Sequence, residues 1–209
     1  MKITVFGARD ELGHLVISEA LARGWDVVAF VRNRSTIQIS NPRLRVVSGS
    51  LEDEADVEKA VKASKAVICL LIPAGRTRRM PVSKAVTGII AAMQKNRVKR
   101  LVCLTTVSIK HPKDRFSLPF RLAVWMRRAT VPYVYADAVR TVTYVGESGL
   151  IWTIVRIAGL KRDPSGRQMN VGYLGEVRYA SAAVVDLARF LVQQVGDEQY
   201  VEESPVVAN

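Results

Sequence analysis

Histidine and cysteine are scarce. His14 and His111, Cys69 and Cys103 are the whole complement in 209 residues. With so few candidate ligands, and none clustered, a metal centre is not expected. Each cysteine sits inside an apolar strand-like run, where a free thiol behaves as a small hydrophobe. Long hydrophobic runs are missing too, although 49% of the residues are apolar. None approaches the ~20 residues that cross a bilayer as a helix. A strand starting at residue 2 leaves no space for a secretory signal, so a reduced, cytoplasmic protein is expected. Internal repeats and low-complexity linkers are absent, and one domain is the default at this length. Acids are outnumbered, 19 against 31 lysines and arginines, for a net charge of +12. The basic residues are dispersed, with no zinc spacing, basic heptad or aromatic-basic RNA motif among them. A nucleic-acid partner is therefore not expected.

What is present begins at once. Ile3, Thr4, Val5 and Phe6 suit a strand buried on both faces, and Gly7 permits a tight turn. Leu12, Leu15, Val16, Ala20 and Leu21 then recur at helical spacing, with Gly24 as a stop. A strand, a glycine corner and a helix N-terminus expose backbone N–H groups and partial positive charge, which suits a pyrophosphate. Apolar runs over 26–31, 44–47, 66–72, 101–104 and 151–155 alternate with helical segments near 52–62, 82–95, 137–147 and from about 181. Uninterrupted apolar strands separated by helices imply a parallel sheet covered on both faces. The expected fold is α/β, a single-domain, Rossmann-like, doubly wound parallel sheet spanning residues 1–209. Segments 110–134 and 160–175 follow strands, contain proline or glycine, and read as a substrate lid.

The second strand ends in Val31, Arg32, Asn33 and Arg34, with no acid between Asp26 and Glu52. An acid there commonly holds the ribose 2′-hydroxyl of NAD. Arg32 and Arg34 could instead pair with a 2′-phosphate through charge-assisted hydrogen bonds. NADP, with NADPH favoured over NADH, is the expected cofactor.

Read together, several segments resemble the atypical short-chain dehydrogenase/reductases, the NmrA-like and biliverdin/flavin-reductase-like NAD(P)H-binding proteins. Gly7, Ala8, Arg9, Asp10, Glu11, Leu12 and Gly13 match that group's GATGxxG turn. Phe30 to Asn33 match its second-strand end, Val46 to Asp53 its segment beside the adenine, and Asn96 to Thr106 its GVKRLVxxSS strand. Glu147 to Arg156 is close to its xSGLDWTIVRP, and Ser181 to Phe190 resembles its closing helix. The resemblance implies a cofactor lined by Gly7 to Gly13, Arg32, Arg34, Ser50, Leu51, Leu71 and Thr105. It gives Thr106 the place of the second serine of the strand-end pair, a candidate to orient reacting groups. Two departures stand out. Asp10 replaces the second glycine, where a residue at positive φ would bring a carboxylate close to the pyrophosphate. Ser50 replaces a frequent aspartate.

The superfamily's Tyr and Lys four residues apart is missing: Tyr133, Tyr135 and Tyr144 are followed by Asp137, Val139 and Ser148. Alcohol dehydrogenation through that pair is not expected. Asp137 and Arg140 match a related D-x-x-R pattern, read as structural. His111 in the lid could donate a proton, and Phe116, Phe120, Trp125 and Tyr173 could line an acceptor pocket. The segment from Phe116 to Arg128 is apolar and basic, which also suits a membrane-surface helix, but the flanking prolines favour a lid and no membrane partner is expected. The resulting expectation is an NADPH-dependent reductase of a small conjugated acceptor, such as a flavin or quinone. The alternative is a nonenzymatic NADP-sensing regulator. The sequence leaves the oligomeric state open.

Overall fold

The computed structural model describes residues 1–75, 78–115, 118–162, 168–177 and 181–209. In β1 (Lys2–Phe6) the strand alternation sends Ile3 and Val5 into one apolar layer and Phe6 into the other. Thr4 lies on the Phe6 side, and its hydroxyl is engaged by the Ala60 carbonyl and the Ser64 hydroxyl, each at 2.7 Å. After α1 (Glu11–Ala22), β2 (Asp26–Val31) and β3 (Leu44–Ser48) extend the sheet on one side. α2 (Glu54–Val61) opens on Asp53, whose carboxylate accepts the Ala55 and Asp56 N–H groups at 2.9 and 3.2 Å, as an N-cap should. β4 (Ala66–Cys69) returns to pair with the free edge of β1. Then come α3 (Pro81–Lys95), β5 (Arg100–Thr106), α4 (Leu118–Thr130), α5 (Pro132–Gly146) and β6 (Ile151–Ile157). The chain finishes with β7 (Leu160–Lys161), β8 (Asn170–Gly172), β9 (Ala182–Ala183), α6 (Val184–Gln193) and β10 (Val206–Ala208).

Among the described residues the main sheet has the order β3-β2-β1-β4-β5-β6-β10-β8, all parallel except β8, which runs antiparallel to β10. β7 and β9 form a separate parallel pair. α1 and α6 cover one face over Ile3, Val5, Val102, Leu104 and Val155. α2, α3 and α5 cover the other over Phe6, Val67, Leu101 and Ile154. Strand order reverses between β1 and β4, and that reversal leaves a crevice at the carboxyl ends of the two strands. The doubly wound Rossmann-like architecture is as expected.

Several boundaries differ from the sequence reading. α5 begins at Pro132 rather than near Asp137. Asp137 lies inside that helix, and its carboxylate caps α3, accepting the Val82 and Ser83 N–H groups at 3.1 and 2.8 Å. A structural role for Asp137 follows from this geometry. The last helix starts at Val184, because Ala182 and Ala183 pair with β7 first. Residues 170–172 of the expected second lid segment form a strand of the main sheet, while 163–167 lie outside the described residues.

One buried ion pair fixes the loop after β5. Arg156 in β6 is 1% exposed, and its guanidinium grips both Asp114 carboxylate oxygens at 2.7 Å. It also donates to the Ile109 and Ser204 carbonyls at 2.9 and 2.7 Å. Asp114 in turn accepts the His111 and Leu174 N–H groups. Burial pushes the Asp114 carboxyl up, but Arg156 and the two amides outweigh it and hold it below the ordinary value. Asp114→Ala strands a buried cation and should cost about 3–5 kcal/mol in urea unfolding. For wild type, this stabilisation is complete above the ordinary carboxylate range and is lost as pH falls through the lowered Asp114 value. Unchanged unfolding midpoints for the variant would show the pair to be inert.

Candidate functional site

The crevice at the β1–β4 reversal is shaped by two glycines. Gly7 has φ +83°, and a Cβ there would lie 3.1 Å from the Leu70 carbonyl carbon and 3.2 Å from the Leu71 nitrogen. Gly13 in the first turn of α1 packs still more tightly, since its Cβ would meet Ala8 Cα at 2.4 Å. Both close approaches require the absence of a side chain. Ala8 and Leu12 are buried, whereas Arg9, Asp10 and Glu11 are exposed around the helix N-terminus.

Asp10 departs from expectation. It has φ −114° and ψ −178°, so no left-handed conformation is needed. It is the N-cap of α1, and its carboxylate accepts the Gly13 N–H at 3.1 Å. The carboxylate is thus built into the turn and occupies one helix N–H that an anion could otherwise use. Glu11 is paired with Arg162 at 2.8 Å, and His14 bonds the Thr36 carbonyl at 2.8 Å. Beside this turn lies a cavity of 590 Å³ whose walls include Arg9, Asp10, His14, Ile39 and Arg162.

The two second-strand arginines separate. Arg34 sits in a 3-10 turn (Arg34–Thr36) and donates to the Val46 carbonyl of β3 at 2.9 Å. Arg32 is exposed at the strand end and has no hydrogen bond or ion pair with a described residue. Ser50 is engaged locally, its hydroxyl accepting the Glu52 N–H and its own N–H donating to Asp56. Leu51 and Leu71 are half-buried against the α2–α3 layer. At the end of β5, Thr106 shares a 2.6 Å hydrogen bond with Ser108. Thr105 is 2% exposed, and its hydroxyl has no partner among the described residues.

The expected acceptor residues do not converge. Trp125 is 65% exposed on the outside of α4. Phe120 is half-buried, and Phe116 lies outside the described residues. Tyr173 instead donates to the Glu203 carboxylate at 2.6 Å and stacks on His111 at 5.0 Å. His111 Nε2 lies 3.4 Å from Glu203, which is also paired with Lys113. Burial and the Arg156 charge push His111 below its ordinary value, against the pull of Glu203 and Asp114. This cluster ties the His111–Lys113 loop to Tyr173 and to Glu203 just ahead of β10.

A concavity that the sequence reading missed lies between the loop after β4 and the α4–α5 junction. It measures 380 Å³, with Gly75, Arg78, Thr130, Pro132 and Tyr133 on its walls. The Arg78 guanidinium sits over the Tyr133 ring, 5.3 Å from its centroid. The signal for it was the arginine run after β4, which composition alone shows only as dispersed charge.

A family model described as NAD(P)H-binding matches residues 7–198. The chain belongs to the NAD(P)H-binding family. This agrees with the resemblance to atypical short-chain dehydrogenase/reductases carried by the motifs. Solved structures with the same fold include an oxidoreductase, ylbE, from Lactococcus lactis, at 17% identity and TM-score 0.80, covering 100% of this chain and 91% of that one. A short-chain dehydrogenase/reductase from Veillonella parvula in complex with NADP is 18% identical with TM-score 0.76, covering 100% and 94%. A Rossmann-fold NAD(P)-binding family protein from Shigella flexneri is 19% identical with TM-score 0.73, covering 100% and 93%.

As an NAD(P)H-binding family member, the chain offers its nucleotide a cradle that any Cβ at Gly7 or Gly13 would fill. Near the end of β5, beyond β4, the buried Thr105 hydroxyl has no partner among the described residues. These residues fit a nicotinamide cofactor. Among the described residues no group of three metal-ligating side chains occurs, and no helix is long and apolar enough to cross a membrane. Asp10→Asn keeps a capping oxygen and removes one negative charge from the phosphate turn. It should tighten NADPH on the order of tenfold in a fluorescence titration. Unchanged affinity would show that the carboxylate does not act on the nucleotide.

Proposed function

We propose that this protein is an NADPH-dependent oxidoreductase that passes hydride to a small conjugated acceptor such as a flavin or quinone. The observation that carries the reading is Arg32, exposed at the end of β2 beside the Gly7–Gly13 cradle with no partner among the described residues, and with no acid in the place an NAD ribose prefers. In this reading the turn residues Gly7 to Gly13 hold the pyrophosphate by backbone N–H groups and the helix-end charge. Arg32 holds the 2′-phosphate, and Arg34 stiffens the strand end through its bond to Val46. Thr105 supplies an unused hydroxyl near the reacting end, and Thr106 is positioned by Ser108.

When bound, reduced nicotinamide supplies the hydride. The chain's own task is then orientation and exclusion of water. The Arg78–Tyr133 concavity is the acceptor site in this reading. A flat conjugated ring can lie against Tyr133, and Arg78 favours an acceptor that gains negative charge as it is reduced. The matching proton comes from solvent, since no tyrosine has a lysine four residues on. The buried free thiols Cys69 and Cys103 suit a reducing, cytoplasmic setting.

One feature favours a second reading, a nonenzymatic NADP-sensing regulator of the NmrA-like type: Asp10 already occupies the Gly13 N–H. Stopped-flow oxidation of bound NADPH by flavins and quinones separates the two. Acceptor-dependent turnover supports the reductase. Its absence, with unequal binding of oxidised and reduced nucleotide, supports the sensor. Arg32→Ala should weaken NADPH by about 10- to 100-fold, the worth of hydrogen bonds to a charged group. NADH should change far less, and equal loss for both nucleotides would reject the assigned role.

A further inference from the structure

α4 has two apolar faces, and the fold buries only one. Val124 turns inward and is 9% exposed, on a helix that packs against α5. Leu118, Leu122, Trp125 and Met126 are 67%, 57%, 65% and 51% exposed. Their spacing of i, i+4, i+7 and i+8 places them on one stripe roughly 100° wide, as on an amphipathic helix. They make up half of the large apolar side chains that stand exposed among the described residues. A stripe of this kind on a folded surface marks a site of interaction.

The charged residues of α4 itself are all of one sign. Arg121 and Arg128 fall along one flank of it, Arg127 lies further round, and no acid occurs between Asp114 and Asp137. We propose that α4 docks this protein peripherally on the surface of an anionic phospholipid bilayer. The helix lies in the plane of the headgroups, with its four apolar side chains in the upper acyl region and the exposed flanking Arg128 on lipid phosphates. Trp125, at the edge of the stripe next to the arginine flank, takes the interfacial depth that an amphipathic ring prefers. The chain's net charge of +12 adds long-range attraction to the same surface. A second copy of the chain is a poorer occupant. Two such helices facing each other across a two-fold axis would bring arginine flanks together with no acid on either helix to pair them. Docking also sets the Arg78–Tyr133 concavity, whose wall includes Thr130 at the end of α4, close to the lipid.

Sedimentation of the full chain with vesicles tests this without nucleotide, and therefore independently of the proposed reaction. Vesicles of phosphatidylcholine with about 30 mol % phosphatidylglycerol should bind at least about tenfold more protein than phosphatidylcholine alone. The Trp125 emission should shift to the blue on binding, and Trp125→Phe should remove that shift. Leu122→Glu with Met126→Glu changes exposed side chains only. The pair should abolish pelleting while leaving the thermal melt unaltered. Arg128→Ala should lower partitioning about fivefold, the worth of about 1 kcal/mol for one charge near such a surface. No preference for anionic vesicles, or full pelleting by the double variant, would overturn the proposal. So would a lipid-free dimer that the double variant dissociates while wild type ignores the vesicles, since the stripe would then be a contact between copies.

Discussion

The contact between Gly13 and Ala8 is the constraint on which the rest of the arrangement depends. A first-turn helical residue can lie this close to the turn before it only when it carries hydrogen in place of a methyl group. That proximity starts α1 directly from the end of β1 and points its N-terminus into the crevice where strand order reverses. Gly7 repeats the device against the chain leaving β4. The result is a recess floored by backbone, with N–H groups and partial positive charge at one end. Asp10 completes it by capping α1, its carboxylate taking the Gly13 N–H at the mouth of the recess.

Farther along the sheet, polar side chains substitute for apolar packing. Arg100 is 9% exposed and donates to the Gln194 carbonyl that ends α6 at 2.5 and 3.1 Å, and to Thr153 at 2.7 Å. Burial pushes its guanidinium down, and Asp197 and Glu198 partly restore it. Arg156 does the corresponding work above the next strand, drawing in the 109–114 loop and the turn at Leu174. Two arginines on adjacent strands thereby tie late parts of the chain to the centre of the sheet, each through several donors in one planar fork.

The parallel core was legible because its strands are continuous apolar runs and its helices carry caps and stops within a few residues. β1, β2 and the α2 segment fall where pattern and chemistry put them. The features that escaped depend on distant partners. β8 and β10 are three residues each and become strands only because they meet each other and β6. Asp137 resembled a helix start, yet its carboxylate caps a different helix. At the site, the glycine turn was plain, but the separation of Arg34 from Arg32 depends on the reach of one side chain to β3. The exposed stripe of α4 could not be told from a packed one by periodicity, since spacing reveals that a face is apolar without revealing what covers it.

The placement of β10 has a consequence for the protein's birth. β6 is complete at residue 157, but the strand that covers its outer edge is made of residues 206–208. Emergence of the chain at 5–20 residues per second leaves that edge bare for roughly 2 to 10 s. Throughout this interval a nascent polypeptide displays an unpaired ribbon of amides and carbonyls to every neighbour on the polysome. The late pairing of β10 is thus what closes that side of the sheet to a stray strand.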